Sequence, residues 1–253
     1  MKLNYKIYGE GEPLIVIHGL LGMLDNWSTH ARRWGKKYRV ITVDARNHGR
    51  SSHSEEMNYE AMVEDLNKLM DDLGINESHL LGHSMGGKIV MKFAQNYPYR
   101  VKKLLVADIS PCEYPVRHDA ILEALNSVPL NELEKRTDAD HYLEKYIHET
   151  GIRQFLMKSL YQKKDKTYAW RFNLPAITNN IAAMGESVMD SRFEGETLFI
   201  RGTKSNYITK AHYNDIDLIF PNSRIAEIEG AGHWLHAEKP DEFRSIVSDF
   251  LAE

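Results

Sequence analysis

Six short apolar runs alternate with longer amphipathic segments along this chain, and this alternation restricts the fold more than any other feature. The runs are nearly continuous in hydrophobic residues, as strands are when helices cover both faces of a parallel sheet. The segments between them have room for the helices that parallel connections need. The pattern predicts an α/β fold with a mostly parallel, twisted sheet. The runs cover residues 13–19, 38–44, 78–84, 102–108, 196–202 and 223–230.

The flanking segments extend this architecture. Residues 2–11 alternate between polar and apolar side chains and predict an antiparallel edge strand. Residues 58–74 place apolar side chains on one helical face, with Asn58 as the N-cap and Gly74 as the stop. The last helix is predicted to begin near Pro240.

Residues 112–190 break the alternation. They contain helical patterns, such as those around residues 119–128 and 152–161, and no convincing strand. A segment of this size is far longer than an ordinary connection between strands. We therefore predict an α/β core made of residues 1–111 and 191–253, interrupted by a helical cap at 112–190.

Residues 80–94, LLGHSMGGKIVMKFA, place one serine at a sharp turn from strand to helix. Gly82, Ser84 and Gly86 form a G-x-S-x-G pattern there. In this context the pattern is typical of a nucleophile elbow, where the serine backbone is strained and neighbouring backbone approaches too closely for side chains. Five-residue glycine patterns also arise by chance. The strand before the pattern and the helix after it favour Ser84 as a nucleophile.

A serine hydroxyl is a weak nucleophile and needs a base. His233 follows the last apolar run, in a loop of small residues that permits close approach. His236 is the alternative, but it lies closer to the last helix. We therefore predict that His233 is the base.

A tetrahedral intermediate also needs two backbone N–H donors. The N–H of Met85 follows the nucleophile, and the N–H of Leu20 lies in the loop after the first apolar run. We predict that these two groups form an oxyanion hole and that His18 shapes the loop by hydrogen bonding. Asp44 ends a run that the expected strand order separates from the serine strand, so we interpret it as a loop-stabilising residue.

The carboxylate that would orient His233 is missing from its usual place. Residues 198–212, LFIRGTKSNYITKAH, contain neither aspartate nor glutamate. Asp108, by contrast, ends the strand expected beside the serine strand. A buried, unpaired carboxylate is costly, which favours Asp108 as the acid. The alternative is a cap or turn residue before Pro111.

Composition excludes several classes of protein. The 253 residues carry a formal net charge of −4 with the two signs interleaved, so no basic stripe indicates nucleic acid or an anionic membrane. No apolar run approaches the ~20 residues of a membrane-spanning helix, and the first residues do not resemble a signal peptide. Cys112 is the only cysteine, and no metal-binding spacing is present. We expect a cytoplasmic monomer or homodimer without a cofactor or metal.

Six segments together resemble the α/β-hydrolase superfamily and, more narrowly, the small bacterial esterases of the YbfF type. In that family the acid is the aspartate of a D-I-[SA]-P segment, which matches Asp108, and a serine at the position of Ser205 supports the histidine. Lys204, directly before this serine, departs from the family pattern. The segments are VIHGLLGMLDNW, VDARNHGRSS, GHSMGGKIVM, VADISPCEYPVRH, WRFNLPAI and GAGHWLHAEKP.

The resemblance implies an α/β-hydrolase fold with a sheet of about eight strands. It also implies hydrolysis of carboxylic esters, or of acyl-CoA thioesters, through an acyl-enzyme on Ser84. Four residues of the predicted cap are candidates for an apolar acyl pocket, with packing inside the cap as the alternative: Trp170, Phe172, Leu174 and Ile177.

Other activities on this fold stay open. A C–C bond hydrolase or a cofactor-free haloperoxidase would use a similar triad, and a non-catalytic binding protein is the alternative from another class. Dehalogenases and epoxide hydrolases have an aspartate where this chain has Ser84.

Overall fold

The computed structural model describes residues 1–115 and 118–253. In this part of the chain the strands are β1 (Asn4–Tyr8), β2 (Glu12–Ile17), β3 (Tyr38–Asp44), β4 (Ser78–His83), β5 (Val101–Ala107), β6 (Leu160–Gln162), β7 (Tyr168–Trp170), β8 (Thr197–Gly202) and β9 (Ser223–Ile228). The α-helices are α1 (Ser28–Trp34), α2 (Tyr59–Asp72), α3 (Met85–Asn96), α4 (Asp119–Ser127), α5 (Arg136–Glu144), α6 (Thr150–Met157), α7 (Leu174–Asn179), α8 (Tyr213–Ile219), α9 (Leu235–Glu238) and α10 (Pro240–Ala252).

Seven strands form one sheet in the order β1-β3-β2-β4-β5-β8-β9. β1 runs antiparallel to β3, and the other pairings in this sheet are parallel. This confirms the predicted mostly parallel sheet, with seven strands instead of the expected eight. The antiparallel edge strand that was predicted within residues 2–11 is β1, which begins at Asn4.

Helices cover both faces of this sheet, as the apolar strands predicted. Alternate residues of β2 point into two separate cores, Ile15 and Ile17 into one and Leu14 and Val16 into the other. Side chains of α2 and α3 belong to the first core, and side chains of α1 and α10 belong to the second. Strands buried on both sides cannot alternate with polar residues, which explains the continuous apolar runs.

The boundaries of α2 follow from its capping residues. Asn58 accepts a hydrogen bond from the N–H of Ala61 through its side chain at 2.8 Å. Gly74 adopts a φ of +64° just beyond the last turn, a left-handed conformation that favours glycine. Both predicted ends of this helix are confirmed.

The segment between β5 and β8 contains α4 to α7, as the helical patterns predicted. It also contains a strand pair that the sequence did not predict, because β6 and β7 have three residues each. Strands this short do not show a measurable alternation. The turn between them is held by the Asp165 side chain, which accepts hydrogen bonds from the N–H and hydroxyl of Thr167. The prediction that residues 112–190 lack strands is therefore wrong.

Parallel strands bring their carboxyl ends to one edge of the sheet. The loops after β2, β4, β5, β8 and β9 meet at this edge, and they carry the candidate functional residues. Within residues 1–115 and 118–253, no helix combines the length and the apolar character that crossing a bilayer requires.

Candidate active site

Ser84 occupies the turn between β4 and α3 in a strained conformation, with φ of 54° and ψ of −120°. Two glycines make this turn sterically feasible. A Cβ at Gly82 would lie 2.1 Å from the carbonyl oxygen of Gly86, and a Cβ at Gly86 would lie 2.5 Å from the carbonyl oxygen of Ile17. Such distances are far inside van der Waals contact, so side chains at either position would distort the elbow. Ser84 also precedes the first turn of α3, where the helix dipole favours negative charge.

The His233 imidazole joins Ser84 to Asp108. Its Nε2 lies 3.0 Å from Ser84 Oγ, and its Nδ1 lies 2.7 Å from Asp108 Oδ2. Because a carboxylate can only accept, the Nδ1 of a neutral His233 carries the proton and Nε2 faces the hydroxyl as an acceptor. The structure thus brings together the three residues that the sequence analysis selected.

Asp108 is fully buried and adopts a φ of 51°, and its carboxylate has three hydrogen-bond partners among the described residues. Besides His233, it accepts a hydrogen bond from the N–H of Gly202 at 3.2 Å and a short one from the hydroxyl of Ser205. These donors compensate for removing the carboxylate from water. Ser205 was expected to support the histidine, and its hydroxyl contacts the carboxylate that holds the His233 imidazole.

The loop after β2 carries one of the two predicted oxyanion donors. The N–H of Gly22 donates to the carbonyl of Gly19 at 3.0 Å and closes a turn over Leu20 and Leu21. Leu20 and Met85 both line a cavity that reaches Ser84. Within the described residues, neither of their N–H groups has a hydrogen-bond acceptor. Both donors are therefore available to a ligand beside Ser84.

Two buried histidines hold this loop. His48 accepts a hydrogen bond at Nε2 from the N–H of Leu21 at 3.0 Å and donates from Nδ1 to the carbonyl of Arg46 at 2.8 Å. His18 donates from Nδ1 to the carbonyl of Gly19 at 2.7 Å and accepts at Nε2 from the N–H of Ala45 at 3.1 Å. Each ring uses one nitrogen as donor and the other as acceptor, so each must be neutral.

Burial keeps both rings in this state. Desolvation lowers the pKa of His18 to about 4 and the pKa of His48 to about 3. The predicted shaping role of His18 agrees with these bonds, whereas the sequence analysis missed His48. A histidine in the loop after β3 was visible in the sequence, but its partner across the site was not.

Asp44 stabilises loops, as the sequence analysis expected. One carboxylate oxygen accepts a hydrogen bond from the N–H of Leu24 at 2.7 Å. The other accepts from the side chain of Asn4 at 2.7 Å and from the N–H of Arg50 at 2.9 Å. These contacts tie the loop after β3 to the loop after β2 and to β1.

His236, the rival base, lies deeper in the protein. Its ring stacks on Trp27 with centroids 4.5 Å apart, and its carbonyl accepts a hydrogen bond from His30 at 2.9 Å. Burial lowers its pKa to about 3.

His83 holds the backbone of His233 in place, because its Nε2 donates a hydrogen bond to the His233 carbonyl at 2.8 Å. Its own pKa is held well below the usual value by burial.

Two cavities reach Ser84. We name the first, of about 220 Å³, the histidine-side cavity, because His233, Trp234 and His236 line it. We name the second, of about 450 Å³, the helix-side cavity, because Tyr59 of α2 and Met85 of α3 line it. Four residues line both cavities: Leu20, Ser84, His118 and Tyr207.

The predicted acyl-pocket residues do not line either cavity. Trp170, Phe172, Leu174 and Ile177 are buried, and the first two rings stack with centroids 5.4 Å apart. This prediction is wrong, because helical and apolar patterns identify a buried face without saying what covers it. The 112–190 segment lines the histidine-side cavity with other residues instead: His118, Ile121, Ile152, Phe155 and Leu156.

Tyr207 is the main contact that sequence reasoning missed. Its ring stacks on the His233 imidazole with centroids 4.1 Å apart and an interplanar angle of 26°. Its N–H donates to Ser205 Oγ at 3.2 Å, and its carbonyl accepts a short hydrogen bond from the hydroxyl of Tyr114. The stretch after β8 therefore provides the serine on Asp108 and the ring on His233, although it contains no acid. Among residues 1–115 and 118–253, no group of three acidic, histidine or cysteine side chains has the arrangement of a metal site.

Comparison with known proteins identifies the family of this chain. A family model described as alpha/beta hydrolase fold matches residues 12–141. The chain belongs to the α/β-hydrolase family.

Two curated relatives match nearly the whole chain. Esterase YbfF of Escherichia coli (strain K12) is 36% identical over 257 residues, which cover 99% of this chain and 99% of that protein. The sn-1-specific diacylglycerol lipase ABHD11 of Danio rerio is 37% identical over 99% of this chain and 83% of its own length. Among solved structures, a marine microorganism esterase superposes with a TM-score of 0.96 at 38% identity, covering 98% of this chain and 99% of that one.

Proposed function

We propose that this protein is a cofactor-free serine hydrolase that cleaves carboxylic esters through an acyl-enzyme on Ser84. One observation carries the proposal: a strained serine, a histidine and a buried aspartate form a continuous hydrogen-bonded relay, with spacings of 3.0 and 2.7 Å. This arrangement activates a hydroxyl that is otherwise a weak nucleophile. The names of the relatives, an esterase and a lipase, favour esters as the substrate class.

In the first half of the reaction, Ser84 Oγ attacks the acyl carbon while His233 Nε2 takes its proton. Asp108 accepts the Nδ1 hydrogen bond and stabilises the imidazolium. The N–H groups of Leu20 and Met85 receive the oxyanion. His233 then protonates the departing alkoxide, and the alcohol leaves an acyl group on Ser84.

The second half repeats these steps with water. His233 removes a proton from water, which attacks the acyl carbon, and the same N–H groups hold the second oxyanion. His233 returns the proton to Ser84 Oγ as the carboxylic acid departs. Nothing in this cycle uses a metal or a redox group.

We further propose that residues 112–190 act as a cap over this site, with acyl-CoA thioesters as a second substrate class. The positions of α4 and α6 support the proposal of a cap, because side chains of both helices line the histidine-side cavity. Thioesters would follow the same acyl-enzyme route, since thiolates leave readily. A cytoplasmic location stays a prediction from the single cysteine.

The other activities on this fold have less support. A non-catalytic relic has no need for an intact relay, a strained elbow and two free N–H groups. C–C bond hydrolysis and haloperoxidation would use the same relay, but the named relatives do not favour them.

Steady-state hydrolysis of p-nitrophenyl acetate and butyrate tests the proposal. We expect activity in the wild-type protein and a loss of several orders of magnitude in Ser84→Ala and in His233→Gln. Ser52→Ala, an exposed serine, is the matched control and should keep wild-type activity. Hydrolysis rates measured on a panel of acyl-CoA thioesters test whether these compounds are a second substrate class. A wild-type protein without activity on any ester would contradict the proposed function.

A further inference from the structure

The two cavities at Ser84 have largely different walls. Trp27, which lines the histidine-side cavity, packs in the core with side chains of α1 and α10. Tyr59 and Met85, which line the helix-side cavity, pack in the core with side chains of α2 and α3. A substrate centred on Ser84 Oγ therefore has two separate spaces into which its two halves can extend.

The mechanism decides which half of the ester enters which cavity, and this step therefore rests on the proposed function. A tetrahedral carbon on Ser84 carries an oxyanion, the acyl chain and the leaving oxygen. The leaving oxygen takes its proton from His233 Nε2, so it must lie within hydrogen-bond reach of that atom. His233 lines the histidine-side cavity, and the described residues that line the helix-side cavity do not include it.

We propose that the alcohol part of the ester occupies the histidine-side cavity and that the acyl part occupies the helix-side cavity. With the leaving oxygen held toward His233, the acyl chain takes the space beside Met85, whose N–H is one of the two oxyanion donors. Tyr207 and His118, like Leu20 and Ser84, line both cavities.

The walls define the chemical class of each half. The histidine-side cavity is small, at about 220 Å³, and most of its wall is aromatic or aliphatic, including Trp27, Ile152, Phe155 and Trp234. It fits a short, uncharged, apolar alcohol, so the large, charged leaving group of an acyl-CoA would have to extend beyond this cavity into the solvent.

The helix-side cavity has about twice this volume, at about 450 Å³. Ile109, Met85 and Met184 give it an apolar wall, whereas Glu113 and Asn206 are exposed at its rim. Three tyrosines line this cavity: Tyr59, Tyr114 and Tyr207. Tyr59 donates its hydroxyl to the carbonyl of Met184, and Tyr114 donates its hydroxyl to the carbonyl of Tyr207. Tyr59 and Tyr114 therefore present ring surface to the substrate. This cavity fits a longer acyl chain whose far end reaches the solvent.

Two filling variants test the assignment. Ile152→Trp reduces the histidine-side cavity, and Met184→Trp reduces the helix-side cavity; each residue lines only one of the two. Two substrate series are compared by kcat/KM: acetates of lengthening 1-alkanols and ethyl esters of lengthening fatty acids. Ethyl acetate, short at both ends, reports whether each variant keeps an intact site.

The expected pattern is a crossover. Ile152→Trp should lower kcat/KM for octyl acetate by about tenfold or more while leaving ethyl octanoate within about twofold, and Met184→Trp should do the reverse. In the wild type, activity should fall earlier with alcohol length than with acyl length. The opposite crossover would overturn the assignment and leave the proposed function intact, whereas absence of all ester hydrolysis would overturn the proposed function itself.

A structure of the inactivated wild-type protein gives an answer that does not depend on how the variants fold. An ethyl octylphosphonofluoridate places phosphorus on Ser84 Oγ and releases fluoride, and its P–C octyl chain stands for the acyl chain. Density for the octyl chain beside Met184 would support the assignment. Density beside Ile152 would contradict it.

Discussion

Asp108 holds the central position in the site, because it contacts both His233 and the segment after β8. Its carboxylate keeps the imidazole in the tautomer that can accept a proton from Ser84. Ser205 adds only one of the donors to this carboxylate, and the N–H of Gly202 remains when the hydroxyl is removed. The two residues should therefore differ sharply in their effect on turnover.

We predict that Asp108→Asn lowers kcat by up to about 10⁴, because an amide cannot accept the Nδ1 hydrogen bond in the same way and favours the wrong tautomer. Ser205→Ala should cost about 100-fold or less, since one hydrogen bond to a charged group contributes about 1.5–3 kcal/mol. Steady-state kinetics on a p-nitrophenyl ester measures both. A larger loss in Ser205→Ala than in Asp108→Asn would contradict the assignment of the acid.

A second prediction for a single residue concerns His48. It accepts the N–H of Leu21, whose φ of 62° places a non-glycine residue in the left-handed region. His48→Leu removes the acceptor and leaves a buried N–H without a partner, at a cost of about 1–3 kcal/mol. The turn that presents the Leu20 N–H should then relax.

We expect His48→Leu to lower kcat by about 10- to 100-fold with little change in KM, and to weaken binding of a boronic acid transition-state analogue by a similar factor. His79→Leu is the matched control, because His79 is also buried but lies near the start of β4, where its ring contacts Glu12 of β2. Equal losses of activity in the two variants would show that His48 acts through stability alone.

At the scale of elements, α3 does more than present Ser84. Lys88, one turn into this helix, is buried, and its ammonium donates to the carbonyls of Cys112 at 2.9 Å and Gly185 at 3.1 Å and, by a short bond, to that of Glu186. These carbonyls belong to the two ends of the 112–190 segment. One side chain thus fixes both ends of the segment to the helix that begins beside the nucleophile.

Lys88→Met should remove the ammonium donor from the carbonyls of Cys112 and Glu186, whereas that of Gly185 keeps the N–H of Tyr114. The free energy of unfolding should fall by about 1–3 kcal/mol. Lys92→Met is the control on the same helix, because its partners Glu60 and Asp190 are exposed carboxylates and such pairs contribute about 0–1 kcal/mol. Urea unfolding measures the difference, and hydrogen exchange should rise in residues 181–190 in Lys88→Met. Equal stability of the two variants would contradict this role.

The elements were predictable to different degrees. The central strands of the main sheet were visible because they are buried on both faces, and β1 was visible because its polar and apolar residues alternate. The helix α2 was visible because Asn58 and Gly74 mark its ends. The strand pair β6–β7 was not, since three residues are too few for a pattern.

The candidate site divides in the same way. Ser84, His233 and Asp108 follow from local motifs and from the order of parallel strands, which the chain encodes directly. Tyr207 and His48 contact the site through loops whose paths depend on tertiary packing. The predicted pocket residues were wrong for the same reason. Trp170 has the apolar, aromatic side chain that a pocket wall needs, but it is buried and lines neither cavity.

At the scale of the whole molecule, buried neutral histidines make stability depend on pH. Burial lowers the pKa of His18 and His30 to about 4 and the pKa of His48 and His236 to about 3. In the unfolded chain these groups titrate near their usual pKa of about 6.5. The unfolded state therefore binds more protons as the pH falls from about 6.5 toward 3, and stability is lost over this window.

We predict that the free energy of unfolding, measured with urea, is markedly lower at about pH 5 than at about pH 7.5. Each of these histidines contributes a slope of up to about 1.4 kcal/mol per pH unit. His30→Phe should reduce the slope by nearly the amount that one histidine contributes, because it removes one buried neutral ring that does not belong to the relay. Equal stability at the two pH values would contradict the neutral, buried state of these rings.

We propose that Ser84 carries the acyl group, and mass spectrometry of the protein after treatment with a fluorophosphonate tests this proposal most directly. We expect one adduct, located by fragmentation to Ser84, with ester hydrolysis lost in proportion to labelling and no adduct in Ser84→Ala. An unlabelled Ser84 in a protein whose esterase activity has been abolished, or full esterase activity in Ser84→Ala, would contradict it.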